Sequence, residues 1–252
     1  MQLKQITDYL DGFLEIQSFQ DDSANGLQVE NNENVEKIGL AVDACHETIV
    51  KAAEAQCNLL IVHHGLFWGR QQLLTDWFFQ RVRALIMADI ALYAVHLPLD
   101  AHPEVGHNAQ IARMIGLSDI EPFIPFHGRP IGMRGILGSP LSCSEAGDKL
   151  EKIIGNRSAF LAFGPETVHS IGVVAGSATD PALFKELKVQ GIDLFVTGEP
   201  KHGAYHLAQE FGLNIFYGGH YTTETFGMKE LGRHLEQQLQ IPALFIDSPC
   251  VL

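Results

Sequence analysis

The sequence contains few cysteines and no long hydrophobic run, and each absence argues against a class of protein. The four cysteines (Cys45, Cys57, Cys143 and Cys250) are scattered and form no Cys-x-x-Cys pair, which argues against a thiolate zinc site and a disulfide scaffold. No apolar run approaches the roughly 20 residues that a membrane-spanning helix requires. The N-terminal residues also lack the apolar region of a signal peptide. We therefore expect a cytoplasmic protein that does not enter the membrane.

Positive charge is also scarce. The chain of 252 residues has 17 lysines and arginines against 30 aspartates and glutamates, a formal net charge of −13, and no basic cluster. Such a chain has no broad electrostatic attraction for nucleic acids or anionic lipids, so the sequence does not favour direct DNA binding. The hydrophobic fraction of 46% is that of a globular protein with a substantial core, in one large domain or two of ordinary size.

Several familiar catalytic signatures are missing as well. The chain has no P-loop or G-x-G-x-x-G phosphate loop, no G-x-S-x-G nucleophile elbow and no Cys–His pairing signal. Histidine, in contrast, is abundant, with 12 residues. If a histidine-rich, acidic and cysteine-poor chain binds metal, it does so through imidazole and carboxylate groups.

Short apolar runs alternate with amphipathic segments along the first part of the chain. The predicted strands are 38–42, 59–62 and 91–95, and the predicted helices are 3–16, 47–56 and 76–87. In the last of these helices we expect Trp77, Val82, Leu85 and Ile86 to face inward. Alternating strands and helices with short connections predict an α/β fold with a largely parallel or mixed sheet.

The middle of the chain is rich in glycine and proline, and its pattern differs. Strands are predicted at 131–137 and 160–163. Between them, Ser142-x-x-Glu145 has the spacing of a capping box, so a helix should start there and end at Gly155. No low-complexity linker separates the halves, so the boundary between them must be tight.

An internal repeat relates the two halves. Ile38-Gly-Leu-Ala-Val42 resembles Ile171-Gly-Val-Val-Ala175, and matching residues continue at a nearly constant offset through the following helix and strand. Apolar strands resemble one another by chance, so the polar residues at the strand ends carry more weight. The repeat predicts duplicated α/β lobes, one spanning residues 1–125 and the other 126–252.

Two adjacent histidines, His63 and His64, end the apolar run that begins at Leu59. Ligands of α/β sheets bind at the carboxyl ends of strands, so this is a candidate ligand site. Taken alone, the pair is equally well explained by one buried, hydrogen-bonded histidine and one surface histidine. The repeat places Thr197-Gly198 at the corresponding turn, so the imidazole pair is unique to the first half.

Two further polar pairs strengthen a metal-site interpretation. His96-x-x-x-Asp100 follows the last strand of the first half, and His220-x-x-x-Glu224 follows the last strand of the second. With the histidine pair they give six nitrogen and oxygen donors at strand ends. Such a set suits zinc, iron, manganese, cobalt or nickel, whereas calcium prefers more oxygens. Six donors exceed what one catalytic zinc takes, but two divalent ions bridged by a carboxylate need about this number.

Other candidates are weaker. Asp43 could contact a ligand or cap the following helix, and His102 and His107 are interpreted as solvated loop histidines. Glu199 and His202 could support the metal-site residues or relay protons, but an acidic residue at a helix start explains Glu199 equally well.

Two aromatic residues, Phe67 and Trp68, follow the histidine pair. They could stack a flat ring at a pocket mouth, although buried packing is the simpler interpretation for both.

Several motifs together resemble the NIF-three-like family, whose bacterial members are commonly labelled GTP cyclohydrolase 1 type 2 homologues. They occur in family order and are Asp22-Ser-x-Asn25-Gly-Leu-Gln-Val29, Val62-His-His-Gly-Leu66, His96-x-x-x-Asp100, Thr197-Gly-Glu199 and Gly219-His-Tyr-x-x-Glu224. The resemblance implies two intertwined α/β lobes, a toroidal homohexamer and a dinuclear metal site facing its inner cavity.

Carried over residue by residue, the resemblance gives a specific set of metal ligands: His63, His64, Asp100, His220 and Glu224, with Glu224 as the bridge. His96 is implied as a further ligand or a supporting residue. The segment Thr197-Gly-Glu-Pro-Lys-His202 departs from many relatives, so the resemblance assigns no role to His202.

The function implied is that of a metal-dependent hydrolase acting on a nucleotide, either by GTP cyclohydrolase-like ring opening or by phosphoester hydrolysis. No catalytic residue beyond the ligands can be identified from the sequence. The alternative is a non-enzymatic metal-binding ring that acts through protein partners, because relatives are associated with transcription-factor interaction and DNA damage responses.

Overall fold

A computed structural model gives the structure of the chain and describes residues 1–32 and 34–250, in which eleven strands and ten α-helices are found. The strands are β1 (Gly26–Val29), β2 (Ile38–Asp43), β3 (Leu59–His64), β4 (Ala91–Ala94), β5 (Leu117–Phe126), β6 (Arg129–Ser142), β7 (Ala159–Ala162), β8 (Thr167–Val173), β9 (Leu194–Thr197), β10 (Asn214–Tyr217) and β11 (Ala243–Phe245). The helices are α1 (Leu3–Phe13), α2 (His46–Glu54), α3 (Asp76–Met87), α4 (Leu97–Ala101), α5 (His107–Ile115), α6 (Cys143–Ile154), α7 (Pro181–Val189), α8 (His202–Phe211), α9 (His220–Thr223) and α10 (Thr225–Leu239).

The strands form two mixed sheets, which confirms the predicted α/β class. The first has the order β1-β4-β3-β2-β11, in which only β1 is antiparallel to its neighbour. The second has the order β5-β6-β8-β9-β10-β7, with a parallel centre of β8, β9 and β10 between antiparallel edges. Each half therefore contains the predicted strand–helix–strand–helix–strand unit, β2 to β4 in the first and β8 to β10 in the second.

Local sequence signals explain where several elements start and stop. Ser142 and Glu145 form both hydrogen bonds of the predicted capping box at the start of α6, and Gly155 ends that helix with φ at 81°. Asp180 caps α7 through Ala182 N, and Pro181 occupies its first turn. The central parallel strands are almost entirely buried, as expected for strands covered on both faces.

The strands contribute alternate residues to separate hydrophobic clusters. In the second sheet, Val196 belongs to a cluster with residues of α5 and α6, whereas Phe195 belongs to a cluster with residues of α7 and α8. In the first sheet, Val62 packs in a cluster with residues of α2 and α3. Successive residues of a strand point to opposite faces of the sheet, so β9 is packed by hydrophobic clusters on both faces.

The chain divides into two compact units. The first contains Met1–Leu99 and Gly227–Ser248, and the second contains Asp100–Phe226. The first unit takes up the C-terminal segment because β11 pairs in parallel with β2, with Phe245 opposite Leu40. The boundaries of these compact units differ from the repeat boundary between residues 125 and 126. The division into repeats 1–125 and 126–252 concerns duplication of the sequence, and it remains a prediction.

The two repeat halves differ in strand register. Val62 lies opposite Ala94 in the first sheet, and Val196 lies opposite Phe216 in the second. The sequence repeat aligns Val62 with Val196 but Leu92 with Phe216. Counted from these paired residues, His96 lies two residues after Ala94, whereas His220 lies four residues after Phe216 and directly follows Gly219, which has φ at 87°.

Several local predictions were wrong. Strand β3 continues through both histidines instead of ending before them. On α3, Trp77 and Ile86 are 58% and 62% exposed, so only Val82 and Leu85 of the four predicted core residues are buried. Strand β5 and helix α5 were not predicted, and the buried residues of β5 do not alternate along the strand.

None of the helices in residues 1–32 and 34–250 is both long and apolar enough to cross a lipid bilayer.

Candidate metal centre

In the first unit, three imidazoles converge at the end of β3. One ligand atom from each of His63, His64 and His96 lies within 4.8 Å of the other two. The ring centroids of His63 and His64 are 4.7 Å apart, although the two residues are adjacent on a strand. His96 joins them because it follows β4, the parallel neighbour of β3. Three nitrogen donors at this spacing can bind a transition-metal ion.

The His63 ring is fully buried and fixed in orientation. Its Nδ1 lies 2.9 Å from the carbonyl oxygen of Val95, which continues β4. Because a carbonyl oxygen can only accept, Nδ1 must carry the proton, and the neutral ring then has its lone pair on Nε2. Metal-binding histidines in proteins are typically held in this way.

Carboxylates hold the other two imidazoles of this group. Asp43 Oδ1 lies 2.9 Å from His64 Nδ1, and Asp21 Oδ1 lies 2.9 Å from His96 Nδ1. Burial tends to raise the pKa of Asp21, but hydrogen bonds from His96, Asn25 and the backbone of Ser23 outweigh it and hold that pKa well below its usual range. Asp21 is therefore a fixed anionic acceptor that directs Nε2 of His96 outward.

In the second unit, His220 lies between two carboxylates. Its Nδ1 is 2.9 Å from Glu199 Oε2, and its Nε2 is 3.2 Å from Glu224 Oε1. Burial lowers the pKa of His220, but both carboxylates raise it, Glu224 more than Glu199, and the resulting pKa is about 9. Glu224 itself is almost fully buried. The negative charge of Glu224 thus already favours a cation at Nε2, where the charged imidazole carries one of its two ring protons.

Gly176 leaves space for this pair. A Cβ on Gly176, which has φ at +66°, would lie 2.1 Å from Glu224 Oε1 and 3.2 Å from His220 Nε2. The Gly176 backbone is held on both sides, since its N–H donates to Thr223 Oγ1 and its carbonyl accepts from the N–H groups of Gly198 and Glu199. The loop after β8 therefore forms a close wall against the His220 and Glu224 side chains.

Asp100 lies on α4 and is buried. An oxygen of its carboxylate and a ring nitrogen of His107 lie within 4.8 Å of each other. Asn108 holds the segment in place, donating to the carbonyl oxygens of Asp100 and Ile131 and accepting from Ala175 N. His107 is fully buried, so its interpretation as a solvated loop histidine was wrong.

A family model supplies the deciding comparison. The model described as Duf34/NIF3 (NGG1p interacting factor 3) matches residues 1–249. The chain belongs to the Duf34/NIF3 family. This confirms the resemblance that the sequence motifs indicated.

Relatives within the Duf34/NIF3 family match over nearly their whole length. A protein of Deinococcus radiodurans named GTP cyclohydrolase 1 type 2 homolog is 40% identical over 241 residues, which cover 96% of this chain and 91% of the relative. A protein of the same name from Archaeoglobus fulgidus is 41% identical over 249 residues, 99% of both chains. Among solved structures, TTHA1606 from Thermus thermophilus is similar with a TM-score of 0.92 and 42% identity, covering 100% of both chains.

The structure also shows the contacts of several polar residues whose roles the sequence left open. Asp43 contacts His64, whereas Cys45 caps α2. Glu199 contacts His220, and His202 is exposed at the start of α8. His102 accepts hydrogen bonds from the backbone N–H groups of Glu104 and Val105, as a turn residue does.

Two residues of the site were missed from the sequence. Asp21 was interpreted only as part of a turn, and no spacing connects it with His96, 75 residues away. His107 could have been found, because His107, Ile111 and Ile115 recur every four residues and all three are buried on α5.

Proposed function

We propose that this Duf34/NIF3 protein is a metal-dependent hydrolase that acts on a nucleotide. Four imidazoles carry the proposal, because His63, His64, His96 and His220 all have Nδ1 at 2.9 Å from an oxygen. This arrangement directs Nε2 of each ring to a ligand, and it recurs at metal sites in proteins. A histidine retained only for packing needs no such repeated pattern.

The proposed ligands of two divalent ions are His63, His64, Asp100, His220 and Glu224, with His96 as a further ligand. Their nitrogen and carboxylate atoms suit zinc, iron, manganese, cobalt or nickel. When bound, such ions supply Lewis acidity, which polarises the scissile group and activates water at neutral pH. The donor chemistry fits this role, and Gly176 leaves the space that the Glu224 carboxylate requires.

Other residues of the chain hold protons and orientations for this chemistry. Asp21 and Asp43 fix the rings of His96 and His64 through Nδ1. Glu199 does the same for His220, and because about a third of its side chain is exposed, it can exchange protons with solvent. The carboxylate partners also make the imidazoles more basic, which strengthens their bonds to a cation.

Metal binding at His220 should depend on pH in a specific range. Because its folded pKa of about 9 is raised above the usual value, the charged ring stabilises the metal-free fold fully below about pH 6.5. This stabilisation is lost as the pH rises through 9. A metal ion must displace that proton, so we expect the apparent Zn²⁺ affinity to increase about tenfold per pH unit between pH 7.5 and 8.5.

A competing chromophoric chelator can measure this affinity at each pH. The Glu199→Gln variant keeps a hydrogen-bonding side chain but loses one of the charges that raise the pKa of His220. Its affinity should therefore change less steeply with pH. Identical slopes in the two proteins would contradict the role assigned to Glu199.

The catalytic proposal is tested with protein purified without chelators. Metal analysis should find up to two transition-metal ions per chain, and incubation with GTP should release formate or phosphate. Formate would indicate opening of the guanine ring, whereas phosphate would indicate phosphoester hydrolysis. The protein is also loaded with zinc, iron, manganese, cobalt or nickel in turn. If neither product forms with any of these metals, hydrolysis of GTP is refuted.

An apolar surface on the first unit favours a second candidate function, that of a metal-binding ring acting through protein partners. Six large side chains on and just before α3 are at least 43% exposed: Leu73, Leu74, Trp77, Phe79, Ile86 and Met87. Such surfaces are typical of protein–protein contacts.

We propose that this surface joins copies of the chain in a toroidal homohexamer. Light scattering should find six 27.8 kDa chains for the parent protein and fewer for Ile86→Glu; a monomeric parent would contradict the assembly.

The cytoplasmic location predicted from the cysteine usage remains part of this proposal.

A further inference from the structure

Trp68 lies beside the imidazoles of the first unit and reaches the surface. Its ring centroid is 5.0 Å from that of His96 and 6.0 Å from that of His64, and the residue is 36% exposed. The preceding residue, Phe67, behaves differently. It packs edge-to-face on Phe78, with centroids 5.4 Å apart, as part of the hydrophobic cluster around α2 and α3. Trp68 therefore does not serve the packing role that Phe67 already fills.

Hydrogen bonds to backbone atoms hold both the Trp68 ring and the main chain around it in place. Its Nε1 donates to the carbonyl oxygen of Gly65 at 2.9 Å. Trp68 also forms a backbone bridge with Ser23, and Gly69 N donates to the carbonyl oxygen of Asp22 at 2.7 Å. The 21–25 segment that holds Trp68 also supplies Asp21, the carboxylate that fixes His96. Indole and imidazole are thus positioned by the same short segment.

A fixed, partly exposed indole beside candidate metal ligands has a specific use. An indole offers a large flat apolar face, and fixing it in advance reduces the ordering cost when a ligand binds. Aromatic side chains contribute strongly to binding when nucleic-acid bases stack on them, whatever the base, because every base has a π-face. A phosphate or a short aliphatic chain gains little from such a face.

We propose that Trp68 is the stacking surface for a planar heteroaromatic ring of the substrate, and hence that the substrate class is a nucleobase-containing compound or a similar bicyclic heterocycle. This assignment rests on the proposed hydrolase function, but it concerns binding of the ring and not the chemical step. It makes Trp68 a specificity-determining residue, which selects ligands by ring area. Purines should accordingly bind more tightly than pyrimidines.

The chain allows a direct spectroscopic test, because Trp77 is its only other tryptophan. In the Trp77→Phe variant, all indole fluorescence comes from Trp68. Guanosine should quench this fluorescence saturably, with excitation at 295 nm to limit absorption by the base. Adenosine should quench similarly, cytidine more weakly, and inorganic tripolyphosphate, which has no ring, not at all. The Trp68→Phe variant, which keeps Trp77, serves as the reciprocal control, since the fluorescence of Trp77 should not respond to guanosine.

Affinity is then compared by isothermal titration calorimetry. Trp68→Ala should weaken guanosine binding about tenfold, and Trp68→Phe should restore most of the loss, because a benzene ring still stacks. Far-UV circular dichroism checks that both variants fold. The proposal is overturned if none of the three nucleosides quenches Trp68, or if Trp68→Ala binds guanosine as tightly as the parent.

Failure of this assignment can be separated from failure of the hydrolase proposal. Guanosine binding that depends on Trp68, without turnover of GTP, would refute hydrolysis of GTP and leave the stacking role standing. Conversely, GTP turnover whose KM is unchanged in Trp68→Ala would refute stacking and leave the hydrolase standing.

Discussion

Replacement of His63 by alanine is expected to weaken metal binding by at least about 100-fold, because loss of a residue that merely supports a ligand already costs roughly 10- to 100-fold. His63 is fully buried, and its Nδ1–H is the hydrogen-bond donor to the carbonyl oxygen of Val95. The variant also leaves that acceptor without its donor, so the free energy of unfolding should fall by about 1–3 kcal/mol. Metal analysis after exhaustive dialysis measures the first effect, and urea unfolding measures the second.

His102→Ala is the matched control. His102 is only partly buried, and its Nδ1 accepts from the backbone of Glu104 and Val105. Its removal should change neither the metal content nor the secondary structure measured by far-UV circular dichroism. Full metal occupancy in folded His63→Ala would show that this residue is not a ligand, and equal losses in both variants would indicate a nonspecific effect on folding.

Periodicity and strand-end chemistry predicted most of what positions the first group of histidines. Leu59–Val62 is an apolar run with the length of a buried strand, and its parallel neighbour ends just before His96. Parallel strands bring their carboxyl ends to one edge, so the approach of His63, His64 and His96 follows from the sequence pattern. Their function as ligands remains a prediction.

Residues that act through tertiary contacts could not be predicted in the same way. Asp21 reaches His96 only because the 21–25 turn folds against the end of β4, where Asn25 Oδ1 accepts from His96 N. Neither residue type nor spacing encodes that contact. Trp77 was wrongly placed in the core for a different reason. Helical spacing identifies an apolar stripe, but it does not say whether the protein itself or a partner covers each part of that stripe.

The register difference between the halves shows how the fold places equivalent histidines differently. His96 lies two residues after Ala94, the partner of Val62, whereas Gly218 and Gly219 extend the chain so that His220 lies four residues after Phe216, the partner of Val196. His220 consequently starts α9, so that Glu224 follows one helical turn later with Oε1 3.2 Å from His220 Nε2. A sequence repeat aligned by its histidines cannot show this shift, because sheet pairing, and not residue identity, defines the register.

Gly176→Ala is expected to disturb the metal centre without replacing any proposed ligand. The added Cβ would lie 2.1 Å from Glu224 Oε1, and Glu224 is only 3% exposed, so its carboxylate has little free space into which to move. The Gly176 backbone cannot easily retreat, because Thr223, Gly198 and Glu199 hold it by hydrogen bonds. We expect metal affinity to fall at least about tenfold, as for loss of a residue that orients a ligand.

Gly191→Ala separates this clash from backbone strain. Gly191 has φ at +67°, almost the same as the +66° of Gly176, but a Cβ there would meet no atom within 4 Å. Alanine in this left-handed conformation costs about 1–2 kcal/mol at either position, so both variants should unfold at lower urea concentration. Only Gly176→Ala should also lose metal. Equal metal contents in the two folded variants would show that the Glu224 carboxylate does not need the space beside Gly176, and would remove Glu224 from the proposed ligand set.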